Sequence, residues 1–196
     1  MERPIARRRG AELDAAIRAA VLALLAEHGP NGVTMEAVAA AARTSKPVLY
    51  RRWADRQALL RETLMTTAAT AIPSADTGSY RGDMLAVLRG WAALFTGERA
   101  AMMRSVIVAV AADPELAATF RRDVIGFRKD EMNALLARAI ERGEVRPDVP
   151  IELTRELGQS VLWHRLLITG DPITDELVLQ LVDEVLVPLV RPYYGR

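Results

Sequence analysis

Residues 36–53 read EAVAAAARTSKPVLYRRW, and the reading of this stretch decides the fold. It opens as an alanine-rich helix. It breaks at Ala42-Arg43-Thr44, restarts on Ser45-Lys46-Pro47, and ends in Tyr50-Arg51-Arg52-Trp53. Thr34 can N-cap the first helix, which runs through Ala41, and Glu36 sits in its first turn at the positive end of the helix dipole. Ser45 can cap the second helix, and Pro47 falls in its first turn, where a missing N–H costs little. Val38 and Leu49 are apolar anchors. Ala39 and Ala42 are small where the two helices would cross.

Two short helices joined by a tight turn make a helix-turn-helix. Its second helix would offer Lys46, Pro47, Val48 and Arg51 to a DNA major groove. Tyr50 brings a ring for the edge of the core and a hydroxyl for one phosphate oxygen. The competing reading is a pair of core helices with solvated arginines. Charge is consistent with the first: residues 1–62 hold eleven basic and seven acidic side chains, net +4, whereas the rest of the chain is net −3. A basic third on a mildly acidic body suggests a polyanion partner at one end.

Working outward, almost every segment has helical periodicity. Leu13, Ile17, Val21, Leu24, Leu25 and His28 share a face of a first helix that Gly29-Pro30-Asn31-Gly32 stops. Asp55 can cap a fourth helix to about Ala71. Residues 72–83 form a loop by composition. Helical patterns then cover roughly 80–96, 98–111, 114–142, 151–169 and 174–187, with Asp113-Pro114-Glu115 as a helix start and Gly143 as a stop. No segment alternates like a strand. The fold class is therefore all-α, with about nine helices.

The 196 residues contain no cysteine, which excludes disulfides and thiolate metal sites. No apolar run has the length of a membrane span, and no apolar segment of signal-peptide type follows the basic N-terminus. These features fit a cytoplasmic protein with no membrane partner. Two histidines, His28 and His164, make a transition-metal site unexpected. There is no phosphate loop, nucleophile elbow, HExxH or dinucleotide turn, so neither an enzyme nor a cofactor is expected.

Within this sequence, residues 29–60, GPNGVTMEAVAAAARTSKPVLYRRWADRQALL, resemble the N-terminal domain of tetracycline-repressor (TetR) family regulators. The matching features are the glycine-bounded loop, Thr34, Val38-Ala39, Ala42, Ser45-Lys46, Leu49-Tyr50, Trp53, Asp55-Arg56 and Leu59. The resemblance implies a DNA-binding domain over 1–56 (helices one to three and the start of the fourth). It implies a ligand-binding and dimerisation domain over 57–196. It assigns Thr34, Ser45, Lys46, Tyr50 and Arg56 to phosphate or backbone contacts, and Thr44, Lys46, Pro47, Val48 and Arg51 to the groove-facing surface. Arg56 has separate support, because a cation in a helix's first turn opposes the dipole and a nearby anion would relieve it. Arg3, Arg7, Arg8 and Arg9 would form an arm in the adjacent minor groove. One departure stands out. The family usually has glycine where this chain has Arg43. Either Arg43 carries left-handed strain of about 1–2 kcal/mol or the turn is rebuilt, and its cation would add a DNA contact.

The last two helices are apolar over more than one stripe. Leu157, Val161, Val178, Leu181, Val182 and Val185 are therefore expected at a two-fold homodimer interface, and Gly158 and Ser160 are small enough for close helix approach. In the body, Trp91, Phe95, Met102, Met103, Phe120, Phe127, Trp163 and His164 are candidate walls of a pocket for a small apolar or amphipathic effector. The function expected is that of a homodimeric, ligand-responsive transcriptional repressor on a pseudo-palindromic, double-stranded DNA operator.

Overall fold

A computed structural model describes residues 10–72 and 74–192. Arg3, Arg7, Arg8 and Arg9 of the expected arm lie outside the described residues. Among those described every regular element is helical: α1 (Ala11–Gly32), α2 (Met35–Ala41), α3 (Lys46–Tyr50), α4 (Arg56–Ala71), α5 (Tyr80–Leu94), α6 (Gly97–Ala112), α7 (Pro114–Thr119), α8 (Gly126–Glu141), α9 (Ile151–His164), α10 (Asp175–Gln180) and α11 (Val187–Val190). Wide π-helical turns at Phe120–Ile125 and Leu181–Leu186 join α7 to α8 and α10 to α11, and a third, Arg165–Thr169, extends α9. Counted as continuous rods, these are nine helices among the described residues.

The punctuation acts as its chemistry requires. Thr34 Oγ1 accepts from the Ala37 N–H at 3.1 Å, Asp55 from Ala58 at 2.8 Å, and Asp113 from Glu115 and Leu116 at 3.0 and 3.1 Å. Gly29 breaks α1 at φ 67, where a residue without a Cβ turns most easily. Ser45 occupies the N-cap of α3 but makes no capping bond through its side chain.

Two apolar cores result. The first joins α1–α4 through Ile17, Val21, Val38, Leu49, Trp53 and Leu59, and also takes in Val106, Ala109 and Val110 of α6 and Leu116 of α7. The second joins α5, α8, α9 and the C-terminal rod through Leu88, Trp91, Leu136, Leu162, Val182 and Leu186. Helix α6 serves both, since its Ala100 and Met103 belong to the second. At Gly158 an added Cβ would lie 3.1 Å from Leu186 Cδ1 and 3.2 Å from Leu88 Cδ2, so the side chains of two neighbouring helices pack directly onto the backbone of α9 there.

This packing corrects the expected interface. Val178 and Val182 are fully buried inside the protomer, and Leu181 is nearly so. They have no surface left for a partner, because the C-terminal rod is covered by α5 and α9. Its extra apolar width serves its own core. Leu157 and Val161 are half-buried against that core, while Val185 is 43% exposed.

A buried polar cluster fixes the loop before α5. Asp83, wholly inaccessible, accepts from the Thr77 N–H at 2.6 Å and the Thr77 hydroxyl at 2.8 Å, and lies 3.4 Å from Arg142 Nη2. Arg142 also pairs with Glu144, which accepts from the Tyr80 N–H at 2.6 Å.

Candidate nucleic-acid interface and body cavity

The turn of the helix-turn-helix closes on Arg43. The Arg43 N–H donates to the Ala40 carbonyl at 3.1 Å and the Thr44 N–H to Ala39 at 2.9 Å, while Arg43 adopts φ 53. This is the Schellman closure, which needs a left-handed residue at this place and usually finds glycine there. The chain keeps the geometry and forces arginine into it. Ala42, behind the turn, is buried, and Arg43 itself is exposed.

Ser45, Lys46, Pro47, Tyr50 and Arg51 stand exposed in and around α3, with Tyr50 52% accessible. Thr34 is exposed at the start of α2, and Thr44 and Arg56 are half-exposed. The expected residues are thus exposed or half-exposed, and one presents less than expected. Val48 is half-buried against the first core, next to the fully buried Leu49. Lys46 is engaged by the Glu36 carboxylate, one helix back. That hydrogen bond, with the lysine's charge, holds Glu36 below its ordinary carboxyl pKa and raises Lys46 above its own. Arg52 pairs with Asp14, and Trp53 Nε1 donates to Glu62 Oε2 at 2.7 Å, so the end of the motif is tied to α1 and α4.

The body holds a cavity of about 770 Å³ between α5, α8 and α9. That is within the size range of small-molecule sites, roughly 300–1,000 Å³. Trp91, Phe120, Trp163 and His164 line it, together with Ile72, Met132, Leu135, Gln159, Arg128, Arg138 and Arg155. An apolar crevice of about 40 Å³ continues it inward, bounded by Leu22 of α1, Leu64 and Thr67 of α4, and Met102, Met103 and Val106 of α6. Trp91, Phe120, Arg128 and Trp163 border both spaces.

Two expected wall residues stand elsewhere. Phe95 packs behind the wall, its ring centroid 5.2 Å from Trp91 and 4.4 Å from Trp163, and is filled in as core. Phe127 is not part of the cavity lining and lies under the Arg128 guanidinium, 5.1 Å from ring centre to Cζ. The polar residues of the cavity add to the expected set. Arg128 has a signal in the sequence: Val124, Arg128, Met132 and Leu136 fall at i+4 intervals, so an arginine occupies an apolar stripe.

No group of histidine and acidic side chains suited to a metal occurs among the described residues, and no described helix is long and apolar enough to cross a membrane.

A helix-turn-helix standing on a helical body with its own cavity defines a class, the DNA-binding transcriptional regulators. Residues 17–63 match the family described as bacterial regulatory proteins, tetR family, and residues 74–185 match the tetracyclin repressor-like C-terminal domain. The chain belongs to the TetR family, whose members are transcriptional regulators and not enzymes. It is 32% identical to the HTH-type transcriptional regulator YdeS of Bacillus subtilis (strain 168), over 85% of this chain and 84% of that one. It is 32% identical to the DNA-binding transcriptional repressor TetR of Mycobacteroides abscessus, over 94% of this chain and 97% of the relative. The crystal structure of the TetR family transcription regulator SCO0332 superposes with a TM-score of 0.65 at 32% identity, covering 92% of this chain and all of that one.

Proposed function

We propose that this protein is a homodimeric repressor that binds a pseudo-palindromic operator and is released by a small effector entering the body cavity. Residues 1–56 form the DNA-reading head in this reading, and residues 57–196 the effector and dimer body. The observation that carries it is the inner crevice, which touches α1 of the head, α4, which runs from the head into the body, and α6, the helix shared by both cores. A ligand seated there contacts the elements that set the angle of the recognition helix. Such a ligand lowers operator affinity only if it binds one arrangement of the head better than the other.

The exposed residues of α3, with Arg56, supply phosphate contacts that position the head and a few side chains that read bases. Two heads would enter successive major grooves about 34 Å apart. The partner surface in this reading is the line of α9 and the π turn after it on which Leu153 and Ile168 are exposed and Leu157 and Val161 half-buried, together with the exposed Val185 of the C-terminal rod. Repression in place of activation is supported by the Mycobacteroides abscessus relative, a transcriptional repressor. The protein would act in the cytoplasm, where the chromosome is.

Recovery and sequencing of genomic fragments bound by the protein tests the reading directly. Inverted-repeat sites should emerge. Lys46→Ala and Tyr50→Phe should weaken binding to them and lower its salt dependence. Wild-type affinity and salt slope in both variants would defeat the DNA assignment, and sedimentation as a monomer at micromolar concentration would defeat the dimer.

A further inference from the structure

The wide turn Phe120–Ile125 touches both the cavity and α4. Phe120 and Ile125 border the cavity and the inner crevice, and Val124 borders the crevice. Between them, Asp123 reaches α4. Its Oδ2 lies 2.7 Å from Arg61 Nε, and among the described residues this is the only ion pair that α4 makes with a later element. The Asp123 side chain is 10% exposed. Arg122 of the same turn donates to it from Nε at 2.9 Å and from Nη2 at 3.1 Å. Those hydrogen bonds hold the Asp123 carboxyl below its ordinary pKa and keep the carboxylate in place.

A fully exposed ion pair contributes little, because water and salt screen it. Here Arg61 is exposed but its partner is nearly covered, so screening is incomplete. Apolar packing also joins the turn to α4, since Val124, Leu60 and Leu64 share the first core. Apolar burial is non-directional, and packed helices can slide over one another. A charged contact between defined atoms instead holds one register. Arg61 stands five residues beyond Arg56, about 7.5 Å along α4. A shift of Asp123 is therefore felt where α4 meets the expected DNA surface.

We propose that Asp123 is a positioning residue for the head: through Arg61 it locks α4 to the cavity wall, so that a body pressing on Phe120 and Ile125 turns α4 and moves Arg56 off its phosphate. This rests on the reading of the cavity as the effector site and adds the residue pair that carries its signal. An occupant of the outer cavity that never touches α1 or α4 then still moves the head.

Fluorescence anisotropy titration of a recovered operator fragment tests this with the cavity filled from within the chain. Met132→Trp and Gln159→Trp fill it from opposite walls, α8 and α9. At least one of them, folded by circular dichroism, should weaken operator binding about fivefold or more in the otherwise wild-type protein. The same filler should weaken binding less than twofold when added to Arg61→Gln or to Asp123→Asn. Each comparison is a ratio within one background, so any direct effect of the lost charge on DNA binding cancels. Arg61 is exposed, so its variant decides the matter even if Asp123→Asn fails to fold. An effect that stays at twofold or more in Arg61→Gln overturns the assignment and leaves the cavity reading standing. If neither filler reaches fivefold in the otherwise wild-type protein, the cavity reading falls and this inference with it.

Discussion

Thr44 donates its backbone N–H to the Ala39 carbonyl at 2.9 Å, over an Arg43 held at φ 53. The same closure ends α8, where Glu144 donates to Ala139 at 3.0 Å over Gly143 at φ 74. One chain thus builds the same turn with glycine and with arginine. Arg43 is the only non-glycine residue with positive φ among the described residues. Strain at this site is retained where the turn faces the expected DNA surface, which is where an exposed cation has a use.

Arg43→Gly should therefore do two opposite things. Relief of about 1–2 kcal/mol of left-handed strain, less about 0.5–1 kcal/mol for glycine's greater freedom when unfolded, should raise stability by about 0.5–1 kcal/mol in urea denaturation. Operator affinity should fall, with the slope of log affinity against log salt reduced by about 0.9, because one phosphate is no longer neutralised. A more stable protein with unchanged affinity and slope would leave strain alone and rule out a phosphate partner for Arg43.

Glu36 competes with DNA for Lys46. Both side chains are exposed, so their pair contributes little to folding, but the carboxylate sits beside the expected phosphate path. Glu36→Gln should tighten operator binding a few-fold in anisotropy titrations and steepen its salt dependence. The pH dependence has a definite sign. The hydrogen bond from Lys46 holds the Glu36 pKa below its ordinary value, so the pair is complete above that value and is lost only as pH falls through the lowered one. The gain from Glu36→Gln should therefore be the same at pH 6 as at pH 8.

The helices, their caps and the crossing of α2 on α3 were legible because each rests on local chemistry: Thr34, Asp55 and Asp113 at N-caps, glycines at stops, apolar anchors at Val38 and Leu49. The interface residues Val178, Leu181 and Val182 misled for a physical reason. A helix covered on two sides by its own protomer and one covered by a partner carry the same pattern of apolar residues. The π turns were invisible, since one extra residue per turn barely disturbs the apolar period over six residues. They matter here, because Phe120 and Ile125 of one and Leu167 and Ile168 of another line the cavity. The Lys46–Glu36 pair depends on tertiary geometry that a linear reading lacks.

Asp83 shows how the body core depends on one buried charge. It receives two hydrogen bonds from Thr77 and the facing guanidinium of Arg142 with no access to solvent. Asp83→Ala would leave the Thr77 N–H without an acceptor, the Thr77 hydroxyl with only the Ser79 carbonyl at 3.3 Å, and Arg142 without one of its carboxylates. Stability should fall on the order of 2–4 kcal/mol, read as a lowered urea midpoint. Asp83→Asn, which keeps one oxygen acceptor, should lose less. Equal loss in both would mean that shape, and not the acceptor, is what Thr77 requires.

Thr67 tests whether the crevice couples the two halves. It faces a space of about 40 Å³ that it shares with Leu22 of α1 and with Met102 and Met103 of α6. Its hydroxyl bonds only back to the Thr63 carbonyl at 2.8 Å, so an apolar replacement strands no donor. Thr67→Leu would fill the crevice permanently, as an effector would fill it on binding. If that filling shifts α4 against α1, operator affinity should drop several-fold while the helical circular dichroism stays that of the wild type. Thr67→Ala, which enlarges the space, should bind the operator with wild-type affinity and still respond to effector. Wild-type operator affinity in a folded Thr67→Leu protein would mean that the crevice is a packing defect and that any signal from the cavity reaches the head by another route.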